Sequence, residues 1–279
     1  MNKAATTLAQ FDRVLDGQKR LLIAVHDNPD PDAIAAAFAL KYLAEKRHPQ
    51  LEASIAFGGV IGRAENRAMV NRLEIAMKKI NRVRFERCDR IAVVDTQPGA
   101  GNNSLPEKVA CHIVIDHHPR RRQLQADLVM VEPEIGATAT ILVEWLVASE
   151  LTIPVDLATA LVYAISSETQ DLGREAGKRD IQAYLKVFAK ASMRKLSQII
   201  HPNVPREYFG MLAKALGRTK SFRNLILAHL GEIATPEAVA EMADFLLRHE
   251  RIGWAFCTGR YEDRLILSLR ASSHEANAG

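Results

Sequence analysis

The sequence predicts an α/β fold with a parallel sheet and crossover helices, followed by a smaller α/β domain. From Arg20 to Arg122, short apolar runs alternate with helical stretches, the pattern of a parallel sheet whose strands are joined by helices. The pattern breaks at 173–180 (GREAGKRD), and two prolines interrupt the chain again within 201–207. We therefore expect a first domain over 1–180, a helical linker over 181–206 and a second domain over 207–279.

The first domain is expected to contain five strands that read as buried apolar runs. They cover 21–25, 52–57, 90–95, 112–116 and 126–133. The intervening stretches have the length and composition of helices, and Pro31 suits a first helical turn. These predicted helices cover 31–47, 63–79, 136–150 and 155–168.

The linker and the second domain follow the same reading. Residues 181–200 have helical periodicity and many positive charges. Beyond them the sequence predicts a helix over 207–219, a strand over 224–230, a helix opened by Thr235 and Pro236, and strands over 252–259 and 264–271. That arrangement predicts a small α/β domain.

Composition excludes several classes of protein. The net charge of +4 is a mild excess that favours anionic ligands but falls short of a dedicated duplex-DNA binder. The longest apolar run among the first forty residues, 33–40, is far below the roughly 20 residues of a membrane span. The polar start lacks a signal-peptide core, and the three cysteines form no C-x-x-C pair. We expect a cytoplasmic protein without a disulfide framework.

The residues with the strongest chemical signal follow the predicted strands. Acids and histidines stand at the carboxyl ends of three strands and beyond the helix at 155–168: His26, Asp30, Asp32, Asp95, Asp116, His117, His118 and Asp171. In an open parallel sheet these ends meet at one edge, where ligands bind. Crowded carboxylates repel one another unless a cation lies among them. Carboxylates with imidazoles suit Mn²⁺ or Mg²⁺, and two such ions can clamp a phosphoryl group during its transfer.

Each segment also has a simpler interpretation. Asp30 and Asp32 are good caps for the helix that follows them. Asp95 is of a type common in turns, and His117 with His118 could be surface imidazoles. Independent caps and turns would not be expected to bring one residue class to the same strand ends, which favours the metal-site hypothesis over these alternatives.

The motifs resemble those of a known family. HDNPDPD (26–32), VVDTQ (93–97), DHH (116–118) and QDLG (170–173) resemble, in order, the four motifs of the DHH phosphoesterases. GATAT (136–140) is similar to the subgroup that includes bacterial nanoRNA hydrolases and 3′-phosphoadenosine 5′-phosphate phosphatases. The resemblance implies two manganese ions, bridged by Asp95. The implied ligands are His26, Asp30 and Asp95 for the first ion and Asp32, Asp95, His117 and Asp171 for the second.

The resemblance also implies roles around these ligands. Asp116 would orient its neighbour, and His118 would contact the scissile phosphate. Arg120, in a run of three arginines, and Arg67, near a helix start, are weaker candidates for substrate phosphates. A solvated charge run is the alternative for Arg120.

The second half resembles the DHHA1 domain, which binds substrate in this family. Residues 266–279 match the segment that leads toward a GGH motif, which the sequence does not contain, so we expect a truncated chain. The expected activity is hydrolysis of phosphoester bonds in short oligoribonucleotides or 3′-phosphoadenosine 5′-phosphate. Alternatives are a linear or cyclic dinucleotide phosphodiesterase, an exopolyphosphatase, a RecJ-like exonuclease, or a non-catalytic nucleotide-binding regulatory module. No membrane partner is expected, and homodimerisation is left open.

Overall fold

The computed structural model describes residues 3–120 and 122–272 and divides into two compact units. Unit 1 takes the described residues up to Ile61 together with Ala68–His201. Unit 2 takes Gly62–Arg67 and the described residues from Pro202 onward.

Unit 1 is built on a six-stranded sheet in which every strand pair is parallel. The strands are β1 (Arg20–Ala24), β2 (Glu52–Phe57), β3 (Met77–Lys79), β4 (Arg90–Val94), β5 (Ile113–Asp116) and β6 (Leu128–Val131). Their order is β3-β2-β1-β4-β5-β6, so the direction of winding reverses between β1 and β4. In open α/β sheets ligands bind at such a topological switch point. The predicted α/β fold with a parallel sheet is confirmed.

Helices supply most of the remaining core of unit 1. They are α1 (Lys3–Leu15), α2 (Pro31–Arg47), α3 (Ala64–Arg72), α4 (Thr138–Ala148), α5 (Val155–Glu168), α6 (Lys178–Phe188) and α7 (Met193–Ile200). Residues 33–37 of α2 are fully buried because this helix packs against β1, β2, α4 and α5. Among the described residues, no helix combines the length and the apolar content that a bilayer span requires.

Two local predictions differ from the structure. The helix expected over 63–79 is wrong: α3 ends at Arg72, and Met77–Lys79 forms the edge strand β3 instead. Glu74 has a φ of 53°, which breaks the helix, and residues 77–79 then pair with Ile55–Phe57. The helix α1 was not predicted, although Leu8, Phe11 and Leu15 lie on one face of it and are buried.

Unit 2 is a smaller α/β unit. It contains α8 (Arg206–Leu216), α9 (Glu237–Leu246), β7 (Lys220–Phe222), β8 (Leu225–Glu232), β9 (Trp254–Tyr261) and β10 (Arg264–Ala271). The sheet order is β10-β9-β8-β7, with β8 and β9 parallel and the other two pairs antiparallel. Most of the linker predicted over 181–206 lies in α6 and α7, and these helices pack against α5 within unit 1.

A buried carboxylate joins α6 to the segment that precedes α4. Asp180 is fully buried and accepts hydrogen bonds from the backbone N–H groups of Gly136 and Gly177 and from the Thr140 hydroxyl, at 3.0, 2.9 and 2.6 Å. Asp180→Ala leaves two buried donors and one half-buried donor without this acceptor, so we expect the free energy of unfolding to fall by roughly 2–4 kcal/mol. Urea denaturation measures the change. Asp127→Ala, at an exposed acid, is the control and should change it by less than about 0.5 kcal/mol.

Candidate metal centre

The switch point of the sheet brings together the segments that follow β1 and β4. His26 lies two residues after β1, and Asp95 directly follows β4. Asp95 has a φ of 58° and is 1% exposed. Asp30 is the N-cap of α2, and its Oδ1 accepts the Ala33 N–H at 3.0 Å. The capping interpretation of Asp30 is therefore correct, and it leaves the second oxygen of this carboxylate facing His26.

The first group of potential ligands consists of His26, Asp30 and Asp95. The Nε2 atom of His26 lies 3.5 Å from Asp30 Oδ2 and 3.5 Å from Asp95 Oδ2. Two atoms that bind one ion at about 2.1 Å are separated by roughly 3–4 Å, so these distances suit a shared cation.

A second group of potential ligands consists of Asp95, His117 and His118 and shares Asp95 with the first. The Nε2 atom of His117 lies 3.7 Å from Asp95 Oδ1 and 3.9 Å from Asp32 Oδ2. The two oxygens of Asp95 thus face different imidazoles. That is the geometry expected of a carboxylate that bridges two ions.

Residues of the GATAT segment (136–140) donate hydrogen bonds to Asp32 and Asp95. The N–H groups of Thr138 and Ala139, in the first turn of α4, donate to Asp32 Oδ2 and Oδ1 at 2.7 and 2.8 Å. The Thr138 hydroxyl donates to Asp95 Oδ1 at 2.8 Å. A helix N-terminus stabilises a buried negative charge. The function of Thr138 was missed by the sequence analysis, which used GATAT only as a family signature.

The acids of this region repel one another. Burial and the nearby Asp95 and Glu168 raise the pKa of Asp32 well above its ordinary value. Burial and the nearby Asp30 and Asp95 raise the pKa of Glu168 to about 8. Burial alone would lower the pKa of His26, but Asp30 and Asp95 outweigh it and raise that pKa. Neighbouring negative charge contributes to each shift after burial, and a bound cation would compensate that charge.

The histidines have the tautomer that a metal ligand needs. The Nδ1 atoms of His26 and His117 face the carbonyl oxygens of Asp27 and Ile135 at 2.9 and 3.3 Å. A carbonyl can only accept, so these contacts favour a proton on each Nδ1 and would leave Nε2 to bind an ion in place of a proton. The Nε2 of His117 is buried and has no hydrogen-bond partner among the described residues. This donor set fits Mn²⁺ or Mg²⁺.

Asp116 and His118 form a hydrogen-bonded pair beside the cluster. The Nδ1 of His118 lies 2.9 Å from Asp116 Oδ1, while the other oxygen of Asp116 accepts from Gln97 Nε2 at 2.7 Å. The hydrogen bond with Asp116 raises the pKa of His118 to about 9, against the opposing effect of burial. His118 Nδ1 is also 3.9 Å from Asp95 Oδ1. Gln97 was not singled out from the sequence, although it belongs to the VVDTQ motif.

Asp171 belongs to neither group of potential ligands, and its role as a metal ligand stays a prediction. It is exposed, has a φ of 58° and accepts a hydrogen bond from Ser166. Glu168, the last residue of α5, is the acid of this segment that interacts electrostatically with Asp30 and Asp95. The sequence signal that could have identified Glu168 is its position at the end of the helix predicted over 155–168.

This arrangement predicts different effects for two neighbouring acids. Glu168→Gln should weaken manganese binding by roughly 10- to 100-fold, since it removes a charge beside the cluster. Asp171→Asn is the matched control and should change it less than about twofold. Isothermal titration calorimetry with Mn²⁺ measures both. A larger loss for Asp171→Asn than for Glu168→Gln would restore the assignment made from the sequence.

The candidate phosphate contacts are less well defined. Arg120 is exposed in the loop after His118, and Arg121 lies outside the described residues. Arg67 is exposed on α3, in the part of this helix that belongs to unit 2, and donates to the Gly62 carbonyl. Their roles stay predictions.

Comparisons with known proteins point in one direction. The family model described as "DHH family, N-terminal domain" matches residues 20–165. An uncharacterized protein of Methanocaldococcus jannaschii is 40% identical over 263 residues, which cover 93% of this chain and 53% of that protein. A Lactobacillus gasseri protein described as a probable manganese-dependent inorganic pyrophosphatase is 31% identical over 149 residues, which cover 53% of this chain and 47% of that protein. The chain thus spans about half the length of these relatives.

One solved structure resembles nearly the whole chain. It is an exopolyphosphatase-related protein from Bacteroides fragilis, with a TM-score of 0.81 and 13% identity. The match covers 98% of this chain and 86% of that one. At this identity the likeness shows a common fold.

Proposed function

Because the chain belongs to the DHH family, we propose that it is a manganese-dependent phosphoesterase that acts on small nucleotides. The expected substrates are short oligoribonucleotides or 3′-phosphoadenosine 5′-phosphate, and the expected location is the cytoplasm. The observation that carries the proposal is the convergence of two imidazoles and two further carboxylates around Asp95 at the switch point of the sheet. The manganese dependence in the description of the Lactobacillus relative supports the choice of ion.

The ligand assignment follows from the facing atoms. His26, Asp30 and Asp95 would hold one ion. Asp95 and His117 would hold the other together with Asp32, whose Oδ2 faces His117 Nε2, and with Asp171 or Glu168 as a further carboxylate. His118 also forms a group of potential ligands with Asp95 and His117, but its Nδ1 is bound by Asp116. Two divalent ions, when bound, supply Lewis-acid polarisation of a phosphoryl oxygen and a lowered pKa for water.

The chain's own contribution to chemistry centres on His118. With a pKa of about 9, this imidazole carries a proton at neutral pH and can donate a hydrogen bond to a phosphoryl oxygen. Asp116 binds its Nδ1 and so fixes the ring orientation. Gln97 in turn holds Asp116 and also contacts the carbonyl oxygen of His118 at 3.1 Å. These three residues place a cationic donor beside Asp95.

The test is a substrate panel assayed with Mn²⁺ and again after removal of metal with a chelator. The panel contains a dinucleotide, a four-residue oligoribonucleotide, 3′-phosphoadenosine 5′-phosphate, a cyclic dinucleotide, inorganic pyrophosphate and polyphosphate. We expect release of mononucleotide or phosphate from one of the short nucleotides, loss of activity on chelation and recovery when Mn²⁺ is restored.

The panel also separates the alternatives. Hydrolysis of pyrophosphate or polyphosphate in preference to every nucleotide would overturn the proposed substrate class. Manganese binding without hydrolysis of any compound would favour a nucleotide-binding regulatory module. A preference for long single-stranded DNA would favour a RecJ-like exonuclease.

A further inference from the structure

A pocket that the proposed mechanism does not use opens at the carboxyl end of β2. We define this β2 pocket by six of its lining residues: Phe57, Gly59, Lys79, Ile80, Phe85 and Pro106. Its volume is about 350 Å³, within the range of roughly 300–1,000 Å³ that is typical of small-molecule sites. It lies entirely within unit 1.

Direct hydrogen bonds connect the wall of the β2 pocket to the loop that carries His26 and Asp30. Two residues of its wall, Gly58 and Ser104, contact the loop between His26 and Asp30. The Gly58 carbonyl accepts the Asn28 N–H at 3.2 Å. The backbone N–H and the hydroxyl of Ser104 both donate to the Asp27 carboxylate, at 3.0 and 2.7 Å. A ligand in the pocket would therefore lie next to the loop that carries two potential metal ligands.

Glycine is required at this junction. A Cβ atom on Gly58 would stand 1.7 Å from Asp27 Oδ1, and one on Gly59 would stand 2.2 Å from Asn28 Oδ1. Gly59 also has a φ of 59°, which side-chain-bearing residues rarely adopt. A side chain at either position would have to displace the side chain of Asp27 or Asn28. The Gly58-Gly59 pair thus allows β2 to end in close contact with the loop that follows β1.

The lining of the β2 pocket is mainly apolar and aromatic, with the cation of Lys79 and the polar side chains of Asn81 and Ser104. Phe85 packs on a small core cluster that includes Ile80, so this wall is supported from behind. The ammonium of Lys79 lies 4.6 Å from the centroid of the Phe57 ring and donates to the Gly59 carbonyl. None of the pocket-lining residues that the structure describes carries a carboxylate. Such a surface suits a flat, apolar ring system that is attached to an anion.

We propose that the β2 pocket binds a nucleobase of the substrate while the attached phosphate lies at the metal centre. This inference rests on the proposed function and narrows the class of substrate, because aromatic and aliphatic side chains make no favourable contact with inorganic pyrophosphate. A base would contact Phe85 and Ile80, with the Lys79 ammonium near the sugar and phosphate. The pocket makes a nucleotide the class of substrate that this site selects.

The test separates binding of the base from binding of the phosphate. Adenosine 5′-monophosphate and ribose 5-phosphate carry the same phosphate, and only the first carries a base. Calorimetry with the manganese-loaded full chain should show that the nucleotide binds at least about tenfold more tightly, the usual effect of one stacked base. Inorganic phosphate serves as the third probe and reports on the metal centre alone.

Three variants localise the effect. Phe85→Leu keeps the packing against the core cluster and should reduce the advantage of the nucleotide about fivefold or more without changing the affinity for inorganic phosphate. Lys79→Met should weaken nucleotide binding severalfold. Lys78→Met, at the exposed neighbour on β3, is the matched control and should change neither. Labelling with 8-azidoadenosine 5′-monophosphate, mapped by mass spectrometry, should modify residues 79–85 or 104–106.

Three results would overturn the inference. The first is equal affinity of the parent protein for the nucleotide and ribose 5-phosphate. The second is a nucleotide advantage that survives both Phe85→Leu and Lys79→Met, and the third is labelling exclusively outside residues 79–85 and 104–106. Because binding is the readout, a base-selective pocket in a chain without turnover would sink the proposed activity and leave this inference standing. Turnover without base selectivity would support the proposed activity and overturn this inference.

Discussion

Asp95→Asn is expected to lower the rate of phosphoester hydrolysis by roughly a thousandfold or more. One oxygen of Asp95 faces His26 and the other faces His117, so the loss of this acid removes charge from the whole cluster. Asparagine is the suitable replacement because it has nearly the same shape and tolerates the left-handed backbone conformation at this position. Alanine would add backbone strain and confuse a folding defect with a loss of metal.

Two measurements on purified protein check this prediction. The variant's metal content after gel filtration in Mn²⁺, determined by elemental analysis, should fall well below that of the parent. Its melting temperature without added metal should stay near that of the parent. Asp127→Asn, at an exposed acid of the same unit, is the control and should retain full activity. Parental activity and metal content in Asp95→Asn would sink the proposed centre.

Replacement of the two histidines of the DHH motif should affect different properties, manganese affinity for His117 and catalytic rate for His118. His117→Ala removes a buried imidazole whose Nε2 faces Asp32 and Asp95, so manganese affinity should fall at least about tenfold. His118 has a side chain that is 55% exposed, and its Nδ1 is closer to Asp116 Oδ1, at 2.9 Å, than to Asp95 Oδ1, at 3.9 Å. His118→Ala should spare manganese binding and lower kcat by roughly 100- to 1,000-fold.

Calorimetry with Mn²⁺ and steady-state kinetics on the same preparations separate the two roles. A lower kcat with little change in KM for His118→Ala would indicate a contact made chiefly in the transition state. Equal loss of manganese binding in both variants would contradict the assignment and make His118 a metal ligand.

The position of the metal centre could be predicted from the sequence for a simple physical reason. Parallel strands present their carboxyl ends at one edge, so residues that follow β1, β4 and β5 must meet there. His26, Asp95 and His117 are therefore neighbours although about ninety residues separate the first from the last. The sheet itself could also be predicted, because strands that are buried on both faces appear in the sequence as continuous apolar runs.

The features that could not be predicted depend on local backbone geometry or on contacts with distant residues. Residues 170–172 have φ values of 47°, 58° and 64°, and this left-handed turn separates Asp171 from the end of α5, where Glu168 lies. No hydrophobic pattern encodes such a turn. The edge strand β3 has three residues and gains its structure by pairing with β2, so helical composition misled the prediction over 63–79. Likewise, α6 and α7 belong to unit 1 because of their packing.

The central claim is that Asp95 lies between two metal-binding positions, and anomalous diffraction tests it most directly. Crystals of the chain grown with Mn²⁺ should give anomalous difference density beside His26, Asp30 and Asp95, with a second peak beside Asp32, Asp95 and His117. Asp95→Asn crystals treated identically should lose this density. Manganese peaks confined to other parts of the chain, with none within coordination distance of Asp95, would contradict the account.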